Sequence, residues 1–213
     1  RVKSDVAIGQ KISAGFALLG KTLRELRHQG NILRFLIARM IYADGLATMF
    51  AFGGIYAAGT FGMELSEVIT FGIILNVTAG IGAICFAWID DWIGSKKTII
   101  IALTGLIGTA FGVIVVEDIT WFWVWGSLLG IFVGPSQAAS RSLMARLAPG
   151  GQATEYFGLY ALTGKATAFL GPFFVAVVTA SMDSQRWGLS VVLVFFVVGL
   201  ALLMTVRDPK TDS

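Results

Sequence analysis

The sequence predicts an all-α membrane domain of six transmembrane helices, and three observations carry that reading. Apolar residues make up 56% of the 213 residues and charged residues only 14%, against roughly 45–50% and 25% in an ordinary soluble domain. Mean hydropathy is +0.79. The apolar residues are laid out in long blocks, each able to cross a hydrocarbon core about 30 Å thick, and the charges collect between the blocks.

The first element is a polar leader, residues 1–33. It carries Arg1, Lys3, Lys11, Lys21, Arg24 and Arg27, with Ile8, Ile12, Phe16, Leu19, Leu23 and Leu26 at helical spacing beside them. Such an amphipathic helix suits the headgroup region of anionic lipid, or it packs on protein as a linker helix. The chain opens on Arg1 and shows no signal-peptide pattern, so it reads as a piece of a longer protein whose partner part lies upstream.

Six apolar spans follow, at roughly 35–59, 67–89, 97–117, 120–147, 153–181 and 186–206. A cytoplasmic tail, 209–213, closes a membrane domain of residues 34–208. Short loops make each span antiparallel to the next. The loops at one end hold Arg34, Lys96, Lys97, Arg146, Arg207 and Lys210. Those at the other hold Glu64, Glu67, Glu117, Asp118 and Asp183, with Arg186. Basic loops stay cytoplasmic, so both termini are expected there, in the cell (inner) membrane. Topology accounts for the net charge of +3, and no nucleic-acid partner is expected. Trp121, Trp123, Trp125 and Trp187 lie at outer ends of spans and suit an aromatic belt.

Within the spans, Gly126, Gly130 and Gly134 recur on the fourth, and Gly105, Gly108 and Gly112 on the third. Small residues at this spacing let helices approach closely in lipid. Pro135 and Pro172 each remove a backbone hydrogen bond and are candidate kinks, for gating or for structure alone. Cys85 lies in an apolar run and reads as an inert small hydrophobe.

The polar residues inside the spans are the candidate site. Asp44, Asn76 and Lys165 fall near mid-membrane. Arg39, Gln137 and Arg141 lie nearer the basic end, and Tyr42 and Tyr160 are at similar depth. A charge at mid-membrane costs roughly 2.5–3.5 kcal/mol on insertion scales, so such groups should face the bundle interior or a wet cavity. Asp44 with Lys165 is the expected pair. The third and sixth spans carry no ionisable residue between their ends and read as lipid-facing or peripheral. That division fits half of a transporter built from nested three-plus-three inverted repeats.

Two stretches carry a family resemblance. The loop Asp90-Asp91-Trp92-Ile93-Gly94-Ser95-Lys96-Lys97 resembles the major facilitator signature Gly-x-x-x-Asp-Arg-x-Gly-Arg-Lys. Asp91, Gly94 and Lys96 match it, Trp92 and Ser95 replace its arginines, and Ala87 replaces its first glycine. Gly94 permits a tight turn, and Lys96 and Lys97 can meet an acid such as Glu155, holding one side shut in one state. Positive-inside loop charge is the plainer reading of the same residues. The stretches Arg39 to Gly45, Gly134 to Ser142, Phe157 to Tyr160 and Gly164-Lys165 resemble the C-terminal half of one branch of the superfamily. That branch holds bacterial permeases of unassigned substrate and autophagy-related vacuolar amino-acid effluxers. The resemblance covers about residues 33–208 and implies spans seven to twelve of a twelve-span parent, the leader as its central linker, and amino-acid export.

The expected function is therefore the C-terminal half of a secondary transporter for a small polar solute such as an amino acid, coupled to protons, working by alternating access against a missing N-terminal half. Asp44 is the expected proton site. Lys165 is its counter-ion or a carboxylate holder, and Arg39, Asn76, Gln137 and Arg141 line the path or inner gate. An isolated half would expose its cavity face and could pair with a second copy. The rival is a non-transporting scaffold with a static Asp44–Lys165 pair. A channel would be expected to show a filter loop or pore ring, and neither is found. An intramembrane enzyme is disfavoured too, because no paired aspartates lie at depth and no His-Glu-x-x-His occurs. No metal or cofactor is expected.

Overall fold

The computed structural model describes residues 29–208. The predicted leader helix through residue 28 and the tail 209–213 with Lys210 lie outside the described residues. Seven helices build six spans: α1 Gly30–Phe61, α2 Leu65–Ile93, α3 Ser95–Val115, α4 Ile119–Leu147, α5 Ala153–Ala166, α6 Leu170–Met182 and α7 Gln185–Met204. Six helical stretches are long and apolar enough to cross a membrane, with α5 and α6 forming one of them. The 32 residues of α1 reach about 48 Å, more than the hydrocarbon core requires. The helix that carries the first span begins before residue 35, inside the segment read as leader.

Packing follows from where the small residues sit. Helices α1 and α4 touch each other and hold most of the remainder. Helix α1 packs on α7, α5 and α6, and α4 packs on α2 and α3, while α3 and α7 close a ring behind them. Exchanging the first three spans for the last three maps the α1–α7 contact onto α4–α3 and the α2–α4 contact onto the fifth span against α1. This exchange is the contact pattern that a three-plus-three repeat produces.

The glycine stripe of α4 makes the α2–α4 seam. A side chain at Gly130 would strike Thr78 and the Leu75 carbonyl, and one at Gly134 would strike the Ala79 carbonyl. From the other side, Gly82 on α2 lies against the Ile131 carbonyl. On α3, Gly105 and Gly112 make room for Phe132 and Trp125 of α4, whereas Gly108 meets nothing within 4 Å. Pro135 leaves α4 unbroken, while the fifth span breaks just before Pro172.

Side chains tie the two ends of the bundle. At the basic end the Asn31 amide donates to the Arg207 carbonyl at 2.9 Å and accepts from the Arg207 amide at 2.6 Å. Lys96 donates to the Met204 carbonyl at 3.4 Å. These contacts join α1, α3 and α7. At the acidic end, rings of α1, α2 and α4 form one cluster: Phe61 and Phe122 at 4.6 Å, Phe71 and Phe122 at 4.9 Å, and Phe71 and Trp123 at 5.3 Å. Aromatic pairs at these separations contribute about 0.5–1.5 kcal/mol each beyond area burial. Arg186 donates to the Ile114 and Val115 carbonyls at the end of α3. Asp118 caps α4, and hydrogen bonds from the Thr120 side chain and from the Trp121 and Thr120 amides hold its carboxyl below its ordinary value.

The most exposed spans are the second and the fifth, not the charge-free third and sixth. About 11% of the most apolar stretch is buried in each of α2 and α5–α6, against 44% in α3 and 33% in α7. Along α2, Leu65, Ile69, Ile73, Val77, Ile84, Trp88 and Trp92 form one exposed stripe. Gly134→Val is expected to force α2 from α4 and destabilise the fold by about 1–3 kcal/mol. Gly108→Ala, in open space, should leave stability unchanged or raised. Thermal unfolding in detergent micelles checks the contrast.

Candidate solute pathway at the broken fifth span

Proline accounts for the break. Pro172 cannot donate to the Ala168 carbonyl and its ring crowds that group, so the helix stops at Ala166 and restarts at Leu170. Between them Leu170 N donates to the Thr167 carbonyl at 2.8 Å and Ala168 N to the Lys165 carbonyl at 3.4 Å. The restart leaves the Gly171 amide without a helical partner, in a medium that offers no water.

Asp44 meets that amide. It is 2% exposed and near the middle of α1, and its Oδ2 accepts from the Gly171 amide at 3.1 Å. A carboxylate at a helix N-terminus is favoured by the helix dipole, by up to about 2 kcal/mol when partly buried. A side chain at Gly171 would strike the Thr48 hydroxyl, so the glycine is what lets α6 approach α1. Thr48 is in turn fixed on the Asp44 carbonyl at 2.7 Å. Asp44 Oδ1 has no hydrogen-bond partner among the described residues.

The expected Asp44–Lys165 ion pair does not form. Lys165 is exposed at the last turn of α5 and no ion pair or side-chain hydrogen bond engages it among the described residues. Equal depth does not fix direction around a helix. The buried face of α5 carries Tyr156, Leu159 and Tyr160, and Lys165 follows Tyr160 at an angle of about 140°. The backbone of α6, not a cation, answers Asp44. The scaffold alternative loses the static pair on which it rested.

A cavity of about 240 Å3 opens beside the break, between α1, α4 and α5. It brings together four predicted residues, Arg39, Tyr42, Gln137 and Tyr160. Arg39 Nη1 donates to the Tyr160 carbonyl at 3.1 Å and to Thr163 Oγ1 at 3.5 Å, and the guanidinium carbon lies 3.6 Å from the Tyr160 ring centroid. The Tyr42 hydroxyl shares a 2.6 Å hydrogen bond with Ser140, which bonds the Ser136 carbonyl. Asn76 is not drawn in. It is exposed on α2 and donates to the Gly72 carbonyl of its own helix at 2.8 Å. Arg141 is exposed one turn beyond Gln137.

The motif loop sits apart from this cavity. Gly94 adopts φ 90°, a backbone that only glycine takes without strain, and joins α2 to α3 as a single residue. Asp91 and Lys97 are exposed, Lys96 caps α7, and Glu155 lies in the first turn of α5. Asp90 is the buried carboxylate here, not Asp91. It borders a separate cavity of about 170 Å3 with Thr98 and Ser142. Sequence reading also passed over Ser136, Ser140 and Thr163. Their spacing beside Gln137 and Tyr160 was the available signal. Gly171, which contributes an amide rather than a side chain, gave none beyond its place before a proline.

Six spans with a polar cavity and a span broken at mid-depth form a transporter-like arrangement, and the sequence model of the family described as vacuole effluxer Atg22 like matches residues 3–212. The chain belongs to that family. It is 25% identical over 198 residues to the MFS-type transporter YxiO of Bacillus subtilis, covering 92% of this chain and 46% of that protein. It is 27% identical over 212 residues to autophagy-related protein 22 of Candida glabrata, covering 93% and 39%. It is 26% identical to the protein of that name from Coccidioides immitis, covering 92% and 35%. The chain thus spans less than half the length of the curated relatives it matches. Family and helices together make it a multi-pass membrane protein.

Asp44→Ala should leave the Gly171 amide without an acceptor. Exchange of backbone amides in residues 167–173 should then quicken about tenfold, the factor set by ~1.4 kcal/mol. Asp44→Asn keeps an acceptor oxygen and should exchange nearly as the native protein does. Hydrogen exchange read by mass spectrometry separates the two.

Proposed function

We propose that this chain is one six-helix half of a secondary transporter that carries a small polar solute, amino acids first among the candidates, by alternating access. One observation carries the reading. A polar cavity at the depth of a broken span lies between the two central helices, the place where transporters of this architecture hold their cargo. Membership of a family of transporters supports it. The partner is a second six-helix half, which would cover the exposed faces of α2 and α5–α6. Without it, a second copy of this chain would meet the same apolar stripe. The basic end faces the cytoplasm of a cell membrane in this reading, by the bias of loop charge.

Proton coupling is assigned to Asp44. An ionised carboxylate accepts the Gly171 N–H more strongly than a neutral acid does. A proton arriving on Oδ1, the oxygen without a partner, would loosen the hold of α1 on the N-terminus of α6. The fifth span could then change its angle at residues 167–169, next to the cavity wall formed by Tyr160 and Gly164. Lys165, exposed on the same span, is available to meet the partner half or the passing solute. The motif loop with Asp91, Lys96 and Lys97 would act at the basic end as the gate.

The test uses the complete protein in sealed liposomes holding a pH dye. Pooled amino acids, sugars and organic acids are added outside in turn. Saturable uptake with proton movement that follows one pool, and loss of the proton signal in Asp44→Asn, is the expected result. Solute flux with proton movement unchanged by Asp44→Asn would remove the proton role from Asp44. Flux from no pool would overturn the transporter reading.

A further inference from the structure

The cavity between α1, α4 and α5 holds a charge that no acidic side chain among the described residues neutralises. The three groups that Arg39 touches are the Tyr160 carbonyl, the Thr163 hydroxyl and the Tyr160 ring, all uncharged. No acidic side chain pairs with it among the described residues. Asp44, on the same helix, is spent on the Gly171 amide. A cation kept within a membrane normally has an anionic partner or a wet path, and Arg39 has the cavity.

The guanidinium is also held for use. Among the described residues its hydrogen bonds all run from Nη1, and none engages Nη2 or Nε. Gly164 gives it room, because a side chain there would come within 2.8 Å of Nη1. Stacking on Tyr160 fixes the plane of the fork without discharging it. An immobilised planar fork with free N–H groups matches a carboxylate, which it can bind through two parallel hydrogen bonds. The remaining polar lining is neutral, namely the Gln137 amide and the Tyr42–Ser140 hydroxyl pair. The volume of about 240 Å3 falls below the ~300 Å3 at which drug-sized sites begin, which restricts the occupant to a small metabolite.

We propose that this cavity binds a small solute through its carboxylate, with Arg39 as the counter-ion and Tyr160, Thr163 and Gly164 as the groups that position it. The inference rests on the transporter reading for its setting, and it assigns to Arg39 the carboxylate that depth alone would give to Lys165. Binding would neutralise the only cation in the cavity lining, so an occupied cavity tolerates closure from water better than an empty one.

The test reads charge and occupancy without relying on flux. In a Cys85→Ser background, Ala43→Cys places a thiol on the cavity wall. The protein in liposomes is treated with methanethiosulfonates bearing a sulfonate or a trimethylammonium group. The sulfonate reagent should react faster, and Arg39→Gln should lower the ratio of the two rates at least about fivefold. Arg39→Lys should keep the ratio, which guards against a folding defect, and Lys165→Gln should leave it unchanged. Millimolar amino acids and monocarboxylates should protect the thiol, their primary amides should not, and Arg39→Gln should abolish the protection. Equal rates for the two reagents, a ratio that follows Lys165, or amides that protect as well as acids would each overturn the proposal. Charge selectivity and acid-specific protection with no flux would uphold the anion site and sink the transporter reading. Flux with neither would do the reverse.

Discussion

A helix that stops and restarts inside a bilayer leaves amides and carbonyls without their partners, and lipid offers none in exchange. The fifth span does this at residues 167–169, because Pro172 cannot continue the ladder. The bond from the Gly171 amide to Asp44 supplies part of what the break removes. It also explains how an ionisable side chain comes to be 2% exposed without a cation beside it. Carboxylate and helix end solve one another's problem, and the glycine at 171 and the hydroxyl of Thr48 are shaped around their meeting. The cavity lies on the α5 side of that break, with Tyr160 and Gly164 in its wall and Arg39 facing them from α1.

The charges inside the unit are then distributed unevenly. The anion meets a helix end, whereas the cation at the cavity meets uncharged groups alone among the described residues. On the carboxylate proposal, this asymmetry gives an apolar bundle a chemical preference. The outer architecture is indifferent to that preference. Helices α3 and α7 present apolar positions such as Ile101, Phe111, Val194 and Val197, as lipid contact requires, and they bring no titratable group towards Asp44.

Much of this was legible in the sequence. Block length gave the six spans, the four-residue glycine period on α4 marked a close helix contact without naming its partner, and Pro172 was one of two candidate kinks, of which Pro135 left its helix unbroken. The positions of Arg39, Tyr42, Gln137 and Tyr160 converged on one cavity because they lie at one depth on helices that meet. What failed was azimuth. Asp44 and Lys165 share a depth, but a residue number gives height far better than direction, and the two face different ways. Lack of charge likewise could not separate an apolar core from an apolar outside, so the well-packed α3 and the exposed α2 looked alike in their hydropathy. Gly171 was illegible for a further reason. Its contribution is a backbone N–H, which every residue but proline carries, and only tertiary structure says which one is needed.

The two ends of the bundle are fastened by different sets of helices. The ring cluster of Phe61, Phe71, Phe122 and Trp123 locks α1, α2 and α4 at one end. The Asn31–Arg207 clasp and the Lys96 contact lock α1, α3 and α7 at the other. Helix α1 is the only member of both. It is the axle of the unit, and force applied at either end passes through it. The fifth span belongs to neither lock. Along α1 its polar fastenings are Arg39 to α5 and Asp44 to α6, one on each side of its own joint. Anything that draws either of those groups away releases one segment of that span while the other stays tied.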